Sequence, residues 1–177
     1  MPANVYRFVE HWTIPGVPPR EVYDVVADPR LLTRWWKGVY LAAEPLSGSG
    51  PASGVGSRVR VKARGALPYA LYFVLETTAL EPGRLVEVRT DGDFVGVWRA
   101  IFTAADGGTR VDIEWTVTVQ KPLVRLLSPL LRPVFAWNHN WTTPRGAAGL
   151  RAYLAARGGV PAAEAPAARA TRSGGRG

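Results

Sequence analysis

The stretch YRFVEHWTIPGVPPREVYDVVADPRLLTRWW, residues 6–36, changes from the period of a strand to the period of a helix. Residues 4–14 are rich in aromatic and β-branched side chains and predict a strand. The Pro18-Pro19 pair suits the first turn of a helix, and the Asp28-Pro29 pair ends that helix. The following RLLTRWWKG is typical of a second short helix that carries Trp35 and Trp36.

After residue 36 the period of the apolar residues changes twice more along the chain. Six segments alternate as strands do, at about 39–46, 54–65, 69–80, 84–91, 94–105 and 109–120. Short turn sequences such as EPG, DGD and ADGG separate several of them, which favours an antiparallel meander. From Pro122 to about Arg157 the pattern is helical, with prolines at 129, 133 and 144 predicted to interrupt it. We therefore predict an α+β fold in which a long C-terminal helix covers the apolar face of the sheet.

The length of 177 residues predicts one folded domain, which we place at residues 1–157. The remaining segment, GGVPAAEAPAARATRSGGRG, is rich in Ala, Pro, Gly and Arg and contains no aromatic residue. Such a composition cannot bury enough apolar surface to offset the entropy of ordering. Residues 158–177 are therefore predicted to be a disordered tail.

Composition excludes several classes of function. The chain has no cysteine, so disulfides, thiolate catalysis and cysteine-ligated metals are ruled out. Its net charge of +8 rests on 19 arginines and 3 lysines, a usage that fits a GC-rich genome as well as phosphate binding, and we expect no nucleic-acid partner. No apolar run is long enough for an integral membrane segment, and the N-terminus lacks the order of a signal peptide. A cytoplasmic protein is expected.

Strand alternation assigns side chains to the two faces of the predicted sheet. In the first strand Tyr6, Phe8, Trp12 and Ile14 share the apolar face, and Glu10 has the same parity. Glu10 is therefore either an inward-facing acid/base or a residue near the sheet end that faces water. The run RVRVKAR is interpreted as one stripe of the solvated face, with acidic partners on neighbouring strands.

Three stretches resemble one superfamily. The stretch 6–36, the later GDFVGVWRAIFTAADGGTRVDIEW and KPLVRLLSPLLRPVFAWNHNW are together similar to the START-like, Bet v 1-like (SRPBCC) superfamily, in particular its bacterial polyketide cyclase/dehydrase-type members. The resemblance covers about residues 5–154. It implies a helix-grip fold, in which a seven-stranded antiparallel sheet curls around the C-terminal helix and encloses a cavity. Pro144 departs from the smoother helix that the resemblance implies.

The resemblance implies less about activity, because the superfamily contains both carriers and enzymes. Our first interpretation is binding of a hydrophobic or aromatic, lipid- or polyketide-like small molecule. The alternatives are a polyketide aromatase/cyclase that folds its substrate and acts by general acid/base catalysis, and a regulatory or stress-related module that binds a protein partner. Turnover and oligomeric state are left open by the sequence. No cofactor is expected, and no metal, because the two histidines show no ligand spacing.

The candidate site combines a few polar residues with many aromatic ones. The candidates for acid/base catalysis are Glu10, Tyr69 and His139. The candidates for the ligand-binding wall are Trp12, Trp35, Trp36, Phe73, Trp98, Trp115, Val134, Trp137, Asn138 and Trp141. At 100° per residue Val134, Asn138 and Trp141 share one helical stripe, flanked by Trp137, whereas His139 points away from them. His139 is thus expected on the surface unless the helical phase shifts at Pro133.

Overall fold

The computed structural model describes residues 5–46, 54–66, 69–93, 95–118 and 128–158, with side chains from 137 onward in the last range. Its elements are β1 Val5–Pro15, α1 Pro19–Val26, a 3₁₀ turn Pro29–Leu31, α2 Leu32–Trp35, β2 Tyr40–Pro45, β3 Arg58–Ala63, β4 Leu71–Glu81, β5 Leu85–Gly92, β6 Val95–Ala105, β7 Gly108–Thr118 and α3 Ser128–Gly158. The predicted α+β helix-grip architecture is confirmed. The predicted tail lies outside the described residues except for Gly158.

The seven strands form one antiparallel sheet in the order β1-β7-β6-β5-β4-β3-β2. Strands β2 to β7 are a meander, as the short turns predicted. Strand β1 returns to the far side of β7 and pairs along its full length, from Val5 opposite Thr118 to Pro15 opposite Gly108. This pairing places the first strand of the chain at one edge of the sheet, beside the C-terminal helix.

The two faces of the sheet differ as the alternation predicted. On the inner face the strands contribute buried apolar side chains, among them Trp12, Ile14, Val59, Val61, Phe73, Leu75, Val111 and Ile113. On the outer face, acidic and basic residues lie opposite each other across the strands: Arg58 and Glu76, Glu76 and Arg89, Glu87 and Arg99, Arg99 and Glu114. Such opposite-charge neighbours stabilise the pairing, so the basic run on β3 is part of a charge-balanced face.

Short helices α1 and α2 close one side of the sheet. The Asp28 carboxylate accepts hydrogen bonds from the backbone and guanidinium of Arg30, and this stabilises the turn between the two helices. Trp35 is fully buried at the end of α2, and its ring stacks on Trp36 with centroids 5.1 Å apart. The turn therefore delivers both tryptophans to the interior, as predicted.

Helix α3 is one continuous element, so the predicted interruption by proline is wrong. The nitrogen of Pro144 cannot donate to the Asn140 carbonyl, but nearby carbonyl groups take side-chain donors instead. The Thr142 hydroxyl donates to the carbonyl of His139 (3.0 Å), Arg145 donates to that of Trp141 (2.7 Å), and the Trp36 indole donates to that of Thr142 (3.1 Å). These bonds add donors to the carbonyl groups around that of Asn140, and the helix continues past Pro144.

Two glycines allow α3 to lie against α2. A Cβ on Gly146 would come within 2.6 Å of the Trp36 ring, and one on Gly149 would come within 1.9 Å of the Trp35 carbonyl oxygen. Buried Ala147, Leu150 and Leu154 pack on the same side of the helix. A side chain at this contact would collide with the Trp36 ring at position 146 and with the Trp35 carbonyl group at position 149.

We expect Gly149→Ala to lower the free energy of unfolding by about 1–3 kcal/mol, because the Trp35 carbonyl cannot move away from the added methyl group. The matched control is Gly158→Ala, where the added methyl group meets no atom within 4 Å. This control should leave the free energy of unfolding unchanged or slightly higher, because alanine favours a helix more than glycine does. Urea unfolding of both variants checks the prediction. Equal stability of Gly149→Ala and the wild type would contradict the close approach.

Candidate functional site

A cavity of about 470 Å³ lies between the inner face of the sheet, helices α1 and α2, and helix α3. Its wall is predominantly apolar and aromatic. Among the residues that line it are Phe8, Trp12, Trp35, Trp36, Tyr40, Leu71, Phe73, Val88, Trp98 and Trp115. A cavity of this size and lining is suited to an apolar organic molecule.

The aromatic rings of the wall contact one another in a chain. Trp12 meets Trp36 edge to face with centroids 5.7 Å apart, and Trp36 lies 5.4 Å from Tyr40. Tyr40 in turn lies 6.4 Å from Phe73, again in an edge-to-face arrangement. These geometries are favourable between aromatic quadrupoles, so the wall is held in a defined shape.

A polar cluster lies in the cavity wall where β1 faces α3. The Nε2 atom of His139 lies 2.5 Å from Oε1 of Glu10, and the side chains are only 10% and 13% exposed, respectively. The Thr143 hydroxyl donates to the same carboxylate oxygen (2.9 Å), and the Trp12 indole donates to the other (2.9 Å). Three donors therefore satisfy the Glu10 carboxylate in a place where an unpaired charge would be costly.

The imidazole of His139 is held by rings on two sides. It stacks on Phe8 with centroids 3.9 Å apart and an interplanar angle of 18°, and Trp115 lies 5.7 Å away. Its second nitrogen, Nδ1, is buried and has no hydrogen-bond partner in the part of the chain that the structure describes. Apolar surroundings strengthen the electrostatic interaction between the imidazole and Glu10.

The expected orientation of His139 is wrong, and so is that of two tryptophans. His139 lines the cavity, whereas Trp137 is 55% exposed and Trp141 packs beneath the Arg145 guanidinium, 3.7 Å from its ring centroid. Neither tryptophan is among the described residues of the cavity wall. The predicted phase follows Leu131 and Val134, which share one helical stripe with Asn138 near the start of the helix. In the structure the contact of Gly146 and Gly149 with α2 determines the phase.

The structure brings most other candidates together. The remaining predicted wall residues, Trp12, Trp35, Trp36, Phe73, Trp98 and Trp115, all line the cavity, and Glu10 faces inward. Tyr69 lines it as well but is 49% exposed, and Asn138 accepts a hydrogen bond from the Ala66 backbone (2.8 Å). The side chain of Val134 lies outside the described residues.

Tyr40 and Thr143 are among the polar wall residues that the sequence did not predict. The Tyr40 hydroxyl has no hydrogen-bond partner among the described residues, and burial raises the pKa of this phenol above its usual range. It therefore stays protonated at neutral pH and can donate a hydrogen bond into the cavity. Thr143 lies one helical turn after His139, and this i, i+4 spacing was the available signal for it.

Within the described ranges there is no group of three or more metal-ligating side chains. No helix described by the structure is long and apolar enough to cross a bilayer. The arrangement of the site thus consists of an aromatic cavity, a carboxylate–imidazole pair and a phenol.

Comparison with known proteins agrees with this architecture. Residues 6–155 match the model of the family described as "Polyketide cyclase / dehydrase and lipid transport". No curated protein matches the chain. The resemblance to the START-like, Bet v 1-like superfamily is thereby confirmed.

Solved structures share the fold at low sequence identity. The protein TTHA0849 from Thermus thermophilus is 20% identical with a TM-score of 0.69, over 86% of this chain and 98% of its own. The Zhui aromatase/cyclase from Streptomyces sp. R1128 is 15% identical with a TM-score of 0.64, over 85% of this chain and 94% of its own. One di-domain ARO/CYC protein, BexL from the BE-7585A biosynthetic pathway, is 14% identical with a TM-score of 0.66, over 86% of this chain and 50% of its own.

We expect Glu10→Gln to lower the free energy of unfolding by about 1–3 kcal/mol, because it removes the charge that faces His139 in a buried setting. The matched control is Glu114→Gln, which breaks a pair with Arg7 whose side chains are about half exposed and should cost less than about 1 kcal/mol. Urea unfolding at neutral pH compares the two. Equal losses would show that the Glu10–His139 pair is not a buried interaction in solution.

Proposed function

Because the chain belongs to the polyketide cyclase/dehydrase and lipid transport family, we propose that it binds a hydrophobic, aromatic small molecule in the cavity between the sheet and α3. The observation that carries this proposal is the aromatic cavity of about 470 Å³. An apolar molecule gains free energy by leaving water for such a wall, at about 25 cal/mol per Å² of apolar surface buried. Edge-to-face rings favour a flat, aromatic ligand over a saturated one.

The polar groups of the wall narrow the kind of ligand. The Tyr40 phenol supplies a hydrogen-bond donor without a protein partner among the described residues, and Glu10 with His139 supplies a second polar surface of the wall. A ligand with oxygen atoms at two positions of an aromatic body would contact both. A purely aliphatic chain would leave the Tyr40 hydroxyl desolvated without a partner, which lowers its affinity.

Filling the cavity tests the binding proposal. We expect Val88→Phe, which places a ring in the cavity, to weaken binding of the fluorescent probe N-phenyl-1-naphthylamine at least about tenfold. The matched control is Val97→Phe on the outer face, where Val97 is 40% exposed and the ring meets solvent. Fluorescence titration measures both affinities. Undiminished binding to a folded Val88→Phe variant would mean that the probe binds elsewhere.

A second candidate function is acid/base turnover, and one observation favours it. The binding-only interpretation predicts an almost wholly apolar wall, whereas the cyclase interpretation predicts two polar side chains within reach of each other. Glu10 and His139 meet that condition at 2.5 Å, and both line the cavity. A regulatory module would instead have a filled interior.

The chemistry suited to this pair is elimination of water from a β-hydroxyketone. The Glu10 carboxylate would take a proton from the carbon next to the carbonyl group, and that C–H electron pair would form the new double bond. The C–O bond at the β-carbon would break as the protonated imidazole of His139 donates a proton to the departing hydroxyl group, releasing water. The Tyr40 phenol would donate a hydrogen bond to the ketone oxygen and stabilise the developing negative charge.

Dehydration of the small aromatic β-hydroxyketone 4-hydroxy-4-phenyl-2-butanone tests this candidate. We expect Glu10→Gln to lower the rate at least about a hundredfold, the usual contribution of a positioned general base. Glu114→Gln on the outer face is the control and should keep the rate of the wild type. Formation of the conjugated enone is followed by ultraviolet absorbance. If the wild type is no faster than Glu10→Gln, the turnover proposal fails while the binding proposal stands.

A further inference from the structure

The excess of positive over negative charge lies in the part of the chain that follows Glu114. Up to Glu114, 13 basic residues are balanced by 13 acidic ones, so the sheet and the short helices carry no net charge. Residues 115–163 contain six basic residues and no acidic residue: Lys121, Arg125, Arg132, Arg145, Arg151 and Arg157. Helix α3 and the segment before it therefore carry most of the net charge of +8. A long segment whose charged residues are all basic attracts an anionic surface.

The outward side of α3 presents aromatic residues next to this charge. Trp137, Trp141 and Arg145 follow one another at intervals of four residues and form one stripe, which we call the outer stripe. On a helix Trp137 points about 160° away from His139, which faces the cavity. Trp137 is 55% exposed and makes no hydrogen bond or ring contact with the described residues, while the Arg145 guanidinium covers half-buried Trp141.

Exposed tryptophan has no evident role in the folded chain itself. An indole that is exposed to water keeps a large apolar surface hydrated. A binding partner that buries this surface therefore gains free energy from the contact. Tryptophan side chains are enriched where proteins meet the membrane–water interface, and their rings sit there at the level of the lipid headgroups. Basic residues add attraction to anionic lipids.

We propose that the outer stripe of α3 docks onto the surface of an anionic lipid membrane, with Trp137 inserted at the headgroup level and Arg145 paired with lipid phosphate. Nucleic acid shares the phosphate chemistry, but duplex backbones offer no apolar layer for an exposed indole. The opposite side of α3 forms the cavity wall through Asn138, His139 and Thr142. Docking would therefore place the cavity next to the membrane, where apolar molecules are most concentrated. This surface is independent of whether the cavity binds or converts its ligand.

Flotation of the full-length chain with lipid vesicles tests the proposal. At low salt we expect it to bind vesicles of equimolar phosphatidylcholine and phosphatidylglycerol and not vesicles of phosphatidylcholine alone. We expect Trp137→Ala to lower the partition coefficient about tenfold and Arg145→Gln about fivefold. Physiological salt should weaken binding because it screens the charged residues.

Two matched variants of the sheet serve as controls. Tyr72→Ala removes an aromatic ring that is 54% exposed, and Arg58→Gln removes an exposed guanidinium, both remote in sequence from α3. Neither should change vesicle binding, and circular dichroism verifies that all four variants are folded. The proposal is overturned if the wild type does not float with the anionic vesicles, if the controls reduce binding as much as Trp137→Ala does, or if duplex DNA displaces the vesicles at equal phosphate concentration.

Discussion

The contact between α3 and α2 at Gly146 and Gly149 determines how the rest of the C-terminal helix is oriented. Because the helix backbone lies directly against Trp35 and Trp36, only one rotation of α3 about its axis fits this contact. That rotation turns His139 and Thr143 toward β1 and the cavity, and it turns Trp137 away from them. The contact with α2 therefore determines both which residues of α3 face the cavity and which residues form the outer stripe.

The same constraint makes a buried carboxylate acceptable in β1. Glu10 has the inward parity of Trp12 and Ile14, and without partners its charge would be strongly unfavourable in this apolar environment. Helix α3 delivers an imidazole and a hydroxyl group to one of its oxygens, and Trp12 of the same strand donates to the other. A polar cluster of this kind costs stability compared with a well-packed apolar contact, which is why its presence in the cavity wall suggests a role beyond folding.

The sheet and α3 differ in how their charges are arranged. On the outer face of the sheet, charges of opposite sign alternate from strand to strand, and this part of the chain is neutral as a whole. Helix α3 has no acidic residue with which to balance its arginines. Around Pro144, side chains donate hydrogen bonds to the carbonyl groups of residues 139, 141 and 142. One of these donors is Trp36 of the cavity wall, so the backbone of α3 and the wall support each other.

The order of residues along the chain was sufficient to predict the fold class, the strand segments and the faces of the strands, because alternation along a strand depends only on neighbouring residues. For the same reason it identified Glu10, Trp12, Phe73, Trp98 and Trp115 as residues of the cavity face. Trp35 and Trp36 followed instead from the short helical segment that carries them. The sequence did not determine the phase of α3, the continuity through Pro144, or the pairing of Glu10 with His139. A helix pattern that is apolar on several sides has no preferred rotation of its own, and residues 10 and 139 meet only when the helix is packed. The tertiary contact at Gly146 and Gly149 decided these features, since a close backbone approach excludes every rotation that would place a side chain there.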